Sequence, residues 1–314
     1  MNAQLLTGLI AAFGLIANLA GVGGAAAQDG HMQHGEDAHH HAAFESARFH
    51  VRVDGVEGGR DIILIHGNAS SPEVWQGTVD HLGAGWRVHR IHIQGYAGAP
   101  AGANAQGPVA APVAEELARY IREAGLNKPV VVGHSMGGTI GLMLAARHPE
   151  AVGRLLVIDM LPYLGPAFAG PTATPEQVAA VADQVQARIA DATPEAYAAS
   201  TTQTITGMIK TAEKRAGPIA DGLASDPKVS GHAMRELLVT DLRPELPRIT
   251  APTEVVYVAF EMPGMTPQIT DAIYQGSFAT LPGIKLKRID DAAHFVFLDQ
   301  PDAFYRELDA FVAE

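Results

Sequence analysis

The sequence predicts an α/β protein: a mostly parallel central sheet with helices on both faces, interrupted by a helical insertion. Three observations carry that expectation. From Phe49 onward, apolar runs such as "DIILIHG", "KPVVVGHS" and "TEVVYVAF" alternate with segments of helical period. Continuous apolar runs suit strands buried on both faces, and strand–helix alternation implies parallel pairing. Between Pro162 and Pro247 the chain is Ala-rich and helical in period, with no strand-like run. The stretch "VVVGHSMGGTIG" (Val130 to Gly141) stops a β-branched run at a serine crowded by glycines.

The elements follow in order. "FHVRV" alternates like a strand, and "DGVEGG" supplies turn residues. "DIILIHG" and "RVHRIHIQ" are the next strands, the second leaving through the Gly/Pro-rich "GYAGAP". "PVAAPVAEELARYIREAG" has apolar residues at helical spacing and ends on Gly125. "KPVVVGHS" is a strand, "MGGTIGLMLAARHP" a helix stopped by Pro149, and "RLLVIDMLP" a strand. In the insertion, "TPEQVAAVADQVQARIA" opens with Thr174 as N-cap and Pro175 at the first helical position. "TEVVYVAF" and "IKLKRIDD" are late strands, and "PDAFYRELDAFVAE" is a closing amphipathic helix. An insertion placed after a central strand sits over the strands' carboxyl ends, where it acts as a lid and a source of selectivity. The expected division is residues 49–161 and 248–314 as the two parts of the core, with 162–247 as the lid.

Composition narrows the function. The 314 residues are 47% hydrophobic and carry a formal net charge of −12, which disfavours a nucleic-acid partner. With no cysteine, disulfides, thiolate catalysis and Cys-ligated zinc are excluded. At the start, "LLTGLIAAFGLIANLAG" precedes small residues at Ala25 and Ala27. That pattern reads as a secretory signal peptide over residues 1–27, cut near Gln28, and places the mature chain in the periplasm or medium. No Lys or Arg precedes the apolar run; a retained anchor is disfavoured by Gly14, Asn18 and the short run. Residues 28–48, with His31, His34, His39, His40 and His41, read as a flexible polar linker rather than a defined metal site.

The pentapeptide "GHSMG" (Gly133 to Gly137) fits G-x-S-x-G, directly after a strand and before a helix. A sharp turn there lifts the Ser135 hydroxyl clear of the sheet, and the following helix N-terminus favours developing negative charge. In this setting the chain resembles the α/β-hydrolase fold family from about Phe49 to its end. "HGNASSPEVW" resembles that family's oxyanion loop, and "IDDAAHFVFLDQPDAF" the region of its catalytic histidine. The resemblance implies Ser135 as nucleophile, His294 as general base, and the backbone amides of Asn68 and Met136 as the oxyanion hole. It implies no metal or organic cofactor. Some dehalogenases of the superfamily share "HGN" but have aspartate at the nucleophile position; serine here argues against that chemistry.

The other histidines carry less. His66 buttresses the oxyanion loop, the His134 side chain is expected to point away from the pocket, and His89 and His92 pack on or near a strand. The acid that orients His294 is open between two residues. Asp159 ends "RLLVIDMLP" and is favoured; Glu261, in "VVYVAFEMPGM", is the alternative, at the place where many relatives have aspartate.

The expected reaction is acyl transfer to water on a small-molecule carboxylic ester or lactone. Met136, Met160, Tyr163, Ile205, Met208 and Ile209 are the candidates for the pocket wall. Alternatives are the same triad on another bond (C–C hydrolysis, amide hydrolysis or cofactor-free perhydrolysis) or a non-catalytic binding protein on this fold. Oligomeric state and substrate identity are not written in the sequence.

Overall fold

The computed structural model describes residues 44–260 and 264–313. The expected signal peptide, the His-rich stretch up to residue 43 and Glu261 lie outside the described residues.

Seven strands form one sheet: β1 (Phe49–Gly55), β2 (Arg60–Ile65), β3 (Trp86–Ile93), β4 (Val130–His134), β5 (Arg154–Ile158), β6 (Thr253–Tyr257) and β7 (Lys285–Arg288). Their spatial order is β1-β3-β2-β4-β5-β6-β7; β1 runs antiparallel to β3 and every other pairing is parallel. The central strands are buried along most of their length because "IILI", "VVV" and "LLVI" leave neither face polar. Each face carries its own apolar core, one around Ile63, Val131 and Leu155, the other around Ile62, Val132 and Leu156.

Strand order reverses at β2, with β3 on one side and β4 on the other. Such a switch point opens a crevice beyond the strands' carboxyl ends. Register fixes what stands there: Ile65 pairs with Gly133, and His134 with Ile158. Ser135 and Asp159, each one residue further on, therefore leave adjacent strands at the same level.

The core helices are α1 (Gln76–Leu82), α2 (Ala110–Glu123) and α3 (Met136–Arg147). Five helices follow β5 as the lid: α4 (Gly165–Ala169), α5 (Pro175–Ala190), α6 (Pro194–Met208), α7 (Ala216–Leu223) and α8 (Pro227–Val239). Thr174 closes a capping box with Gln177, while Thr193 and Asp226 cap α6 and α8 ahead of their prolines. After β6 comes α9 (Pro267–Ser277), a helix not expected from the sequence pattern; α10 (Val296–Asp299) and α11 (Pro301–Ala313) end the chain.

The lid is bonded to the core. Glu236 of α8 is buried, and its carboxylate accepts the N–H groups of Val109, Ala110 and Ala111 at 2.6–2.8 Å, at the start of α2. These are amides that a helix cannot satisfy internally, and the helix dipole favours an anion beside them. The loop after β3 joins the lid as well: Asp226 N–H donates to Gly95 O at 2.7 Å and Gly98 N–H to Ala224 O at 2.9 Å.

One boundary differs from expectation. Residues 44–48, placed at the end of the flexible linker, are fastened to the core. The Phe44 ring meets Tyr120 at 5.0 Å and lies under Arg119, and Ser46 donates to Glu116. An aromatic ring with a ready apolar site outweighs the polar composition around it.

Candidate active site

Ser135 sits in the turn between β4 and α3 with φ 55° and ψ −122°, a left-handed conformation costly for a residue with a Cβ. The turn closes because Gly137 lies against β2: a Cβ there would stand 2.2 Å from Ile65 O. Ser135 N–H donates to Ile158 O at 2.9 Å, so the strained residue is pinned to β5.

Opposite it, Asp159 also has positive φ (47°) and is buried. Its Oδ2 accepts the His294 Nδ1–H at 2.6 Å. Oδ1 accepts from Val258 N–H at 3.2 Å and from the Tyr274 hydroxyl at 3.0 Å. A buried carboxylate given three donors is fixed in place, with both oxygens engaged. Tyr274, on the unexpected α9, is driven well above the usual phenol pKa by burial and then by Asp159, so it remains a donor.

His294 is mounted from three sides. Its carbonyl accepts the His134 Nε2–H at 3.0 Å. The Ala293 N–H donates to Asp299 Oδ2 at 2.9 Å, and the Phe295 N–H to Met208 O at 3.2 Å. The bond from Nδ1–H to Asp159 fixes the tautomer and orientation of the imidazole. His134 is itself fully buried, which lowers its pKa well below the ordinary value, with a further push from neighbouring His294. Contrary to the sequence expectation, His134 lines the cavity, because its ring packs against His294 at 4.5 Å and Phe295 at 4.6 Å.

The loop after β2 completes the floor. His66 accepts the Ile93 N–H on Nε2 at 3.2 Å, so its Nδ1–H donates to Gly67 O at 2.8 Å. Burial lowers its pKa to about 3, which keeps it neutral. Gly67 passes so near that a Cβ would meet Ser135 Cβ at 3.0 Å and its Oγ at 3.5 Å. The Asn68 side chain donates to Ser230 O of α8 at 3.2 Å. Met136 opens α3, where the backbone N–H has no acceptor within the helix.

These elements enclose a cavity of about 190 Å³. Gly67, Asn68, His134, Ser135 and His294 line its floor, while Met160, Leu164, Ile189, Ile205, Met208, Met234 and Leu237 form a mainly apolar wall and roof. Ile205 and Met208 reach it from the lid. Tyr163 does not: it lies outside the lining, its ring held under the Arg243 guanidinium at 4.8 Å by cation–π contact and packed against Gly165. Ile209 and Met136 are also outside the lining, buried in the cores around Ile62 and Ile63 respectively. Tyr274, Glu236 and Asp299 were not foreseen; only the Thr266–Pro267 start of α9 offered a signal.

The sharp turn at Ser135, the switch-point crevice and the inserted lid together define the fold, and a family profile described as alpha/beta hydrolase fold matches residues 62–207. This chain has the α/β-hydrolase fold. Among curated proteins, the chain is 27% identical to a pimeloyl-[acyl-carrier protein] methyl ester esterase of Aromatoleum aromaticum over 256 residues, 77% of this chain and 94% of that protein. A second esterase of that description, from Vibrio atlanticus, is 27% identical over 81% of this chain and 94% of its own. Among solved structures it is similar to a hydrolase from Pseudomonas aeruginosa (TM-score 0.69, 20% identity, 85% of this chain and 94% of that one). An enol-lactonase from Burkholderia xenovorans superposes with a TM-score of 0.61 at 20% identity, covering 85% and 96%. At these identities the structural likeness speaks for the fold.

Proposed function

We propose that the hydrolase cleaves a carboxylic ester or lactone through an acyl-enzyme on Ser135. The observation that carries this reading is the 2.6 Å bond between His294 Nδ1 and Asp159, with His294 and Ser135 lining one cavity. His294 Nε2 takes the Ser135 proton as Oγ attacks the carbonyl carbon. The Asn68 and Met136 amides receive the oxyanion, and Asp159 stabilises the imidazolium. His294 then protonates the leaving alkoxide; water, activated by the same imidazole, releases the acid and restores the serine.

The apolar wall suits a hydrocarbon acyl or alcohol group, as do the methyl ester esterases among the relatives. Glu261 is set aside as the orienting acid because Asp159 already occupies His294 Nδ1. The chain is also read as exported, on the apolar run Leu5 to Gly21 followed by Ala25 and Ala27.

The test is turnover of short p-nitrophenyl esters and lactones by wild type and by Ser135→Ala. The variant should keep its fold and lose about 10⁶-fold in kcat. Unchanged turnover would overturn the proposal.

A further inference from the structure

We infer that Asp299 is a positioning residue that makes the alignment of His294 depend on the lid. Its carboxylate is shared between two segments far apart in sequence. On one side Oδ2 accepts the N–H of Ala293, next to His294, at 2.9 Å. On the other, Oδ1 accepts the N–H of Thr211 at 2.8 Å and Oδ2 that of Lys210 at 3.1 Å. Lys210 and Thr211 form the turn by which the lid leaves α6.

Two further contacts make this turn a stiff lever. The Arg215 guanidinium donates to Ile209 O at 2.8 Å and Lys210 O at 3.1 Å, fixing the turn's carbonyls while Asp299 fixes its amides. Met208 presents its side chain to the cavity and accepts the Phe295 N–H through its carbonyl. Residues on both sides of His294 are thus bonded to the segment that carries the lid's cavity wall or to the carboxylate that holds it. A lid displaced at α6 pulls on Ala293 and Phe295, and the imidazole turns away from Ser135. Substrate that seats Met208 and Ile205 in their closed positions therefore also sets the base. Misplacing a catalytic group by about 1 Å costs up to 100-fold in rate, so a backbone clamp of this kind has a large effect on kcat.

The inference rests on His294 as general base, and the experiment separates the two claims. Thr211→Pro removes one lid-side donor and leaves the Asp299–Ala293 bond in place; the native φ of −72° suits proline. Asp299→Ala removes both sides of the clamp, and near-isosteric Asp299→Asn carries the test where proline prevents folding. kcat and KM are measured on a short nitrophenyl ester, and the far-downfield proton signal of His294 Nδ1–H is recorded by NMR. Each variant should lose about 10- to 100-fold in kcat with KM changed far less, and its proton signal should broaden or vanish. A Thr211→Pro enzyme with wild-type kcat and an unaltered signal overturns the lid linkage. Asp299→Ala or Asp299→Asn behaving as wild type overturns the positioning role altogether. The proton signal reports the clamp whether or not the ester is turned over, so an inactive wild type counts against the hydrolase reading alone.

Discussion

Tyr274 donates its hydroxyl to Asp159 Oδ1 at 3.0 Å while His294 holds Oδ2 of the same carboxylate at 2.6 Å. One buried acid thus serves a base on one oxygen and a structural donor on the other. The two bonds predict different losses. Asp159→Asn should keep the fold but cost about 10⁴-fold in kcat, since the amide favours the wrong imidazole tautomer. Tyr274→Phe leaves the His294 bond standing, so its activity loss should be much smaller. Its stability should fall by roughly 1.5–3 kcal/mol, the worth of a hydrogen bond to a charged group. Steady-state kinetics with urea unfolding checks both.

Gly67 and Gly137 should fail in opposite ways when changed to alanine. At Gly137 the new methyl meets backbone, Ile65 O at 2.2 Å, and the elbow cannot form without moving β2. At Gly67 it meets Ser135, Cβ at 3.0 Å and Oγ at 3.5 Å, a contact that a shift of a few tenths of an ångström relieves. Gly137→Ala should therefore fold poorly, whereas Gly67→Ala should fold and turn over slowly. Expression yield, thermal unfolding and kcat read the contrast.

Glu236→Ala strands the three amides at the start of α2 and releases α8 from the core. A loss of roughly 3 kcal/mol in unfolding free energy is expected, measured by urea denaturation. Glu236→Gln keeps one acceptor oxygen and should lose less.

Stability should fall with acid through the window set by His66. Its pKa is about 3 in the folded chain and 6.5 when unperturbed, so between these values the unfolded chain binds more protons. Unfolding free energy is then complete above pH 6.5 and declines as pH drops toward 3. Buried His134, lowered in the same sense, adds to the slope. In His66→Gln, whose amide oxygen can still accept from Ile93 N–H, urea midpoints should depend less steeply on pH over this window.

Much of the fold was legible because it is written in local signals. Strands buried on both faces read as unbroken apolar runs, and the lid announced itself by a long helical period after "RLLVIDMLP". The elbow was visible in "GHSMG" because close backbone approach demands glycine. What stayed hidden was a matter of long-range meeting. Nothing near Tyr274 or Asp299 in sequence shows that one reaches Asp159 and the other grips both Ala293 and Thr211. The choice between Asp159 and Glu261 was equally non-local, since it turned on which strand end lies beside His294. Tyr163 misled because an aromatic residue next to a cavity wall looks the same in sequence whichever way its ring turns. α9 could have been found: Thr266–Pro267 repeats the start signal of Thr174–Pro175 and Thr193–Pro194.

The most direct measurement is reaction of the active protein with a fluorophosphonate, followed by peptide mapping of the adduct. A single adduct on Ser135, formed in step with the loss of ester turnover and absent from Ser135→Ala, is the predicted result. An adduct on another residue, or full inhibition with Ser135 unmodified, would contradict it.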